Sequence, residues 1–184
     1  MKRLINTLVF VTLILINTNG FSYNSDPKTF IDELVNDAIA TLGDKNISIE
    51  DKNRKIETIA LQNVDVEALG MYTLGEFRKT LDQATLKTYK DLFEKYFLKS
   101  LTSRLTDYSS QKLEVLGAEQ KSEIYTIVSS KIAENSSGPE IKIDWRVYTK
   151  NPDKPLIRDL IVEGLSLAKT QKEEFSSILN SNNK

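Results

Sequence analysis

Apolar residues recur every three to four positions up to about Thr106 and every second position from Lys112 onward. No single element satisfies both periods, so the chain divides into a helical half followed by a strand half. Asp26-Pro27 supplies an N-cap and a first-turn proline for one helix, with the stripe Phe30, Ile31, Leu34, Val35, Ala38, Ile39 and Leu42 closed by Gly43. Ser48 opens a second helix, with an apolar face of Ile56, Ile59, Ala60 and Val64. Asp65 caps a short third, Val66 to about Leu74, which Gly70 weakens and a break near Gly75 ends. Asp82 caps a long fourth, from Gln83 to about Thr106. Its stripe of Leu86, Tyr89, Leu92, Phe93, Tyr96, Phe97, Leu101 and Leu105 is the most aromatic surface of the chain.

In the second half, Leu113 and Val115 alternate with charges, and Ile124, Thr126 and Val128 alternate with Tyr125, Ile127 and Ser129. After the turn Asn135-Ser136-Ser137-Gly138-Pro139, Ile141, Ile143, Trp145 and Val147 share one face, with Lys142, Asp144, Arg146 and Tyr148 on the other. Asn151-Pro152-Asp153 turns the chain into a fourth strand, Pro155 to Glu163. A Gly-Leu-Ser turn and a closing helix follow. Four strands on short connections predict an antiparallel meander whose apolar face the helices cover, an α+β fold. Ser166 stands where the N-cap of the closing helix belongs, and Leu167, Phe175, Ile178 and Leu179 form that helix's apolar side. Gly164 lies between strand and cap with almost no loop to spare, which calls for φ > 0 or close packing against a neighbour.

The first residues stand outside this pattern. Lys2 and Arg3 precede the apolar run Leu4–Ile16, and small and polar residues follow it. The run is shorter than the roughly 20 residues that span a bilayer, so a cleaved signal peptide over residues 1–22 fits better than an uncleaved anchor. Gly20 or Ser22 would precede the cut, and residues 23–184 form one domain. No other segment is a candidate to cross a membrane.

Composition then removes whole classes of chemistry. The chain has neither Cys nor His, which excludes disulfides, thiol catalysis, thiolate or imidazole metal sites and imidazole triads. Lys and Arg number 25 against 26 Asp and Glu. Loss of Lys2 and Arg3 with the leader makes this 23 against 26, a net −3, with no basic concentration suited to nucleic acid. No phosphate-binding glycine loop and no G-x-S-x-G occurs. Asp144 with Arg146 reads as a surface ion pair. Asp159 lies inside an otherwise apolar strand and needs a buried partner or an edge position. A structural bond to nearby backbone or to Arg158 is preferred over a functional role, and Asp159 with Tyr125 or Tyr148 is the only acid–base set the chain offers. The aromatic surplus of the fourth helix fills an ordinary core or lines a cavity against the sheet.

Three groups of residues resemble the MlaC, or toluene-tolerance, family of periplasmic phospholipid-binding proteins. The strongest is Asp159, Val162, Glu163, Gly164, Ser166, Leu167 and Phe175, which fits D-x-x-x-E-G-x-S-L/M followed by an aromatic nine residues beyond the serine. Asp65 with Leu74-Gly75 and Phe77, ahead of the helix bearing Tyr89, Phe93 and Phe97, is the second. The strand Asp144-Trp145-Arg146 is the third. The chain departs from the family pattern at Arg78, Pro155 and Gln171-Lys172.

The resemblance implies a nuclear transport factor 2-like α+β fold, with N-terminal helices packed on a curved four-stranded antiparallel sheet and a C-terminal helix. It also implies a phospholipid-binding domain over residues 23–184. The protein would be a monomeric periplasmic shuttle carrying phospholipid between an outer-membrane lipoprotein complex and an inner-membrane ABC transporter with an MCE-domain subunit, thereby maintaining outer-membrane lipid asymmetry. The lipid would be cargo, with no cofactor, metal or catalytic residue. Phe93, Phe97, Trp145, Val147, Leu160 and Val162 would line its cavity, with Tyr72, Leu74 and Phe77 near the mouth, and Asp159, Gly164 and Ser166 would form a structural motif. The strand alternation puts Leu160 and Val162 on a face that also carries Arg158. An isomerase- or dehydratase-like enzyme on the same fold and a periplasmic adaptor with a filled core are the competing readings.

Overall fold

The structure, a computed structural model, describes residues 23–105, 112–134 and 138–182. The proposed leader and its cleavage site lie outside the described residues. The helical half comprises α1 (Pro27–Gly43), α2 (Ile49–Asn63), α3 (Val66–Thr73), a short 3₁₀ helix (Gly75–Lys79) and α4 (Gln83–Leu105). The strand half comprises β1 (Leu113–Ser122), β2 (Tyr125–Ile132), β3 (Ile141–Tyr148), β4 (Leu156–Val162) and β5 (Leu165–Ser166), followed by α5 (Leu167–Asn182). Each of the first four α-helices starts where a capping side chain takes an orphan N–H: Asp26 from Thr29 at 3.0 Å, Ser48 from Asp51 at 3.1 Å, Asp65 from Ala68 at 3.1 Å and Asp82 from Thr85 at 2.8 Å.

The sheet is an antiparallel meander in the order β1-β2-β3-β4-β5. It has five strands rather than the expected four. The chain turns through Glu163 (φ 49°) and Gly164 (φ 80°), two positive-φ residues of the kind that close a tight hairpin, and Leu165 and Ser166 then pair back onto Val162 and Ile161. The segment expected as a Gly-Leu-Ser turn is therefore a turn one residue earlier plus a two-residue strand. Gly164 is required by its φ and not by crowding, since a Cβ there would meet nothing within 4 Å.

α1 and α2 cover one face of the sheet. Phe30, Ile31, Leu34, Val35 and Leu42 of α1 and Ile56 and Ile59 of α2 pack with Val128, Val147 and Ile157 as one buried cluster. Across the sheet, Thr126, Val147 and Ile157 form one row on that inner face, and Ala118, Val128, Trp145 and Leu160 form the next.

Between those rows β4 carries a bulge. Arg146 pairs with Asp159 and Val147 with Ile157, which leaves Arg158 as the extra residue. The bulge resolves the face of β4: Leu160 and Val162 share the inner face with Ile157, and Arg158 does not.

Asp159, 4% exposed, organises the far edge of the sheet. Its carboxylate accepts from the backbone N–H of Ala168 at 3.0 Å and from the Ser166 hydroxyl at 2.6 Å, with the Arg146 guanidinium 3.6 Å away. Ser166 Oγ in turn accepts from the N–H of Lys169 at 3.0 Å. Asp159 and Ser166 thus share the N-terminal donors of α5, where the helix dipole also favours the negative charge. The charged partner is Arg146 rather than the sequence neighbour Arg158, which the bulge turns toward Asp65 at 2.7 Å.

Two stability outcomes follow from this joint. Asp159→Ala strands the Ser166–Ala168 end of α5 and should cost about 3 kcal/mol, against about 1 kcal/mol for Ser166→Ala, whose cap is only one of two. Urea unfolding at neutral pH measures both, and equal losses would refute the shared-cap geometry. Gly164→Val should cost about 2 kcal/mol in the same assay, because a β-branched residue at that φ is strained.

Candidate functional site

The inner face of the sheet is closed along β2 and at Val147 and Ile157, and only half-covered along β3 and β4 from Trp145 outward. Val147 is 0% exposed and belongs to the α1–α2 core. One row on, Trp145 is half-buried and packs against that core, as does Leu101 of α4. Beyond it, Ile141 and Ile143 of β3 and Leu160 and Val162 of β4 are half-buried apolar side chains. Trp145 is held in place by a polar relay, its Nε1–H donating to Ser130 Oγ at 2.8 Å, which donates to the Ile143 carbonyl at 2.9 Å. The indole keeps its ring on the apolar face without leaving its N–H unpaired.

A second apolar centre lies where α3, α4 and α5 meet. Phe93 of α4 sits over Gly70 of α3, where a Cβ would come within 2.8 Å of the ring. Its ring centroid is 6.0 Å from Tyr89, 6.2 Å from Tyr96 and 6.1 Å from Phe175 of α5. Tyr89 bonds Thr73 across 2.7 Å, and burial raises its hydroxyl above the usual tyrosine pKa, against the effect of that bond.

The nine residues expected around one space are thus divided. Trp145, Leu160 and Val162 lie on the half-open inner face. Val147 is taken out of the set, because alternation reports which face a strand residue occupies and not how deeply it is covered. Phe93 belongs to the three-helix aromatic centre, and Leu74, 1% exposed, is core rather than rim. Phe97 is half-buried on α4, Phe77 is half-buried on the 3₁₀ helix, and Tyr72 is exposed with Lys172 Nζ 5.0 Å from its ring centre. Ile141 and Ile143 join the face although sequence reasoning gave them no site role. Their period-2 spacing with Trp145 was the available signal.

The acid–base set is not assembled. One oxygen of Asp159 accepts from Ser166 and the other from Ala168 of α5, while the Tyr125 hydroxyl accepts from Arg158 at 3.1 Å and the Tyr148 ring lies 3.4 Å beneath the same guanidinium. Burial opposes the Arg158 charge, yet its bonds to Tyr125 and Asp65 hold its pKa above the ordinary arginine value. Arg158 and Asp65 lie 93 residues apart, and nothing in a single sequence announces their pairing. Among the described residues no group of three or more His, Cys, Asp or Glu is placed to hold a metal ion, and no helix is long and apolar enough to cross a membrane.

The fold has solved relatives. One is the phospholipid-binding protein from Ralstonia solanacearum in complex with a phospholipid, at 18% identity and a TM-score of 0.70, over 83% of this chain and 87% of that one. No curated protein matches this chain. The family model described as MlaC protein matches residues 32–184. That span takes in both the helical half and the strand half with its Asp159–Ser166 joint, and the chain belongs to the MlaC family.

Proposed function

We infer that this protein binds a phospholipid and carries it through the periplasm, with its acyl chains against the half-open inner face of the sheet. Membership of the MlaC family over residues 32–184 is the observation that carries the reading, and the phospholipid bound by the Ralstonia protein of the same fold supports it. Ile143, Trp145, Leu160 and Val162 supply the apolar floor. Residues 1–22 act as a cleaved export signal. The donor and acceptor of the lipid are an outer-membrane lipoprotein complex and an inner-membrane ABC transporter with an MCE-domain subunit, the arrangement the family resemblance implies, and the protein works as a monomer that helps to keep the outer membrane asymmetric.

The physics of such a task asks for surface rather than catalysis. Two acyl chains with about thirty methylenes would cost roughly 24 kcal/mol to expose to water. A bilayer and an apolar pocket both offset that cost, so a shuttle needs comparable burial at the two ends of its journey and no reactive group. An Asp159 whose carboxylate is committed to a helix cap fits that role better than an acid–base one.

Solvent extraction of the purified protein followed by mass spectrometry should return phospholipid, and a folded preparation without lipid would overturn the reading. Within the face, Ile143→Trp should lower the bound lipid several-fold while the circular dichroism spectrum is retained, since the larger ring takes up room at a half-buried site. Val147→Ala should act the other way, costing about 2 kcal/mol of stability through a core cavity while the folded fraction keeps its lipid. Unchanged lipid in a folded Ile143→Trp variant would move the site elsewhere.

A further inference from the structure

The outward side of α4 is apolar and basic at once. Leu92 is 59% exposed and Tyr96 42%, and Lys95 and Lys99 stand beside them at helical spacings of three and four, both exposed. Among the described residues neither lysine has an ion-pair partner, whereas Lys87 is held by Asp91 at 2.7 Å and Lys90 by Glu67 at 2.5 Å. Asp91, one turn before Lys95, is engaged by Lys87 at 2.7 Å, and Glu94 lies about 160° around the helix from Leu92. Tyr96 is fixed in place: its hydroxyl donates to Gln171 at 3.0 Å and its ring lies 5.6 Å from Phe175. One turn beyond Phe175 on α5, Ile178 is 57% exposed. A chain with a formal charge of −1 therefore presents one helix face where Leu92 and Tyr96 project beside two ammonium groups that have no ion-pair partner among the described residues, with Glu174 held by Gln171 at its Tyr96 edge.

We propose that this α4 face docks the protein on the surface of an anionic lipid bilayer. The chemistry of the face selects that occupant. Protruding Leu92 enters the acyl boundary, Tyr96 places its exposed ring edge at headgroup depth, and Lys95 and Lys99 meet phosphate groups while their stems lie along the apolar surface. The face is separate from the inner sheet face that would hold cargo, so docking and cargo binding fail independently.

Cosedimentation with sucrose-loaded vesicles at low ionic strength tests the proposal. The purified protein should sediment with vesicles of phosphatidylethanolamine and phosphatidylglycerol, far less with phosphatidylcholine alone, and less as salt rises. The double variant Lys95→Gln/Lys99→Gln should partition about thirtyfold more weakly. The equal charge change Lys45→Gln/Lys55→Gln, on α2 and the loop before it, should have little effect. All variants alter exposed positions, and their phospholipid content after extraction should match the unaltered protein. Three results would overturn the proposal: a protein that stays in solution with the anionic vesicles, which would leave the face to an acidic protein partner; an α4 variant that sediments like the unaltered protein; or an α2 variant that loses as much as the α4 one.

Discussion

A carboxylate buried in a strand of a sheet must be paired or it destabilises the fold, and the position of Asp159 turns that requirement into architecture. Beside the bulge at Arg158, the Asp159 carboxylate accepts from the N–H of Ala168 in the first turn of α5. α5 begins at Leu167, beside that donor, and the tight turn through Glu163 and Gly164 brings the chain there directly after β4. Once α5 is anchored, Phe175 is delivered to Phe93, and Phe93 rests on Gly70. One buried charge thus ties α5 to the sheet, Phe175 ties α5 to α4, and the Cβ-free Gly70 lets α3 and α4 approach.

α1 and α2 cover the inner face at Val147 and Ile157, which are buried with them in one cluster. On β2 the buried face continues through Ser130 and Ile132, whereas on β3 and β4 the apolar residues from Trp145 outward stay half-buried. A face that is well supported underneath and incompletely covered above can accept an apolar guest without paying twice for reorganisation. The Trp145–Ser130–Ile143 relay steadies that floor, since the indole cannot turn away without losing its bond to a Ser130 hydroxyl that Ile143 holds in place.

Much of this was legible in the residues, and the reasons are local. Asp26, Ser48, Asp65 and Asp82 each cap the helix expected of them, because a cap is a contact between residues three apart. The antiparallel meander follows from the period of two. What the sequence hid is long in range or a matter of degree. The Arg158–Asp65 pair spans both halves of the chain. The β4 bulge inverts the apparent face of Arg158 relative to Leu160 without any glycine to mark it. Val147 and Ile143 have the same parity on β3, yet one is core and the other half-open, since depth is decided by where α1 lies and not by the strand itself.

The long helix α4 shows how a surplus can be read before its purpose is known. Its apolar residues from Leu92 through Tyr96, Phe93 and Phe97 to Leu101 sweep about 180° of the helix at 100° per residue, well beyond the ~100° stripe that one packed face requires. Something in so wide an arc must remain uncovered. The structure places Phe93 at the buried centre and leaves Leu92 at the solvent margin, with Tyr96 tethered between them by Gln171. Shifting the helix to bury Leu92 would draw Phe93 off Gly70 and Phe175 and bring Lys95 toward apolar neighbours, where its ammonium would lose water without gaining a carboxylate. The rotation of α4 is therefore set from its inner side, and the mixed apolar and basic character of its outer side is what remains once that inner constraint is met.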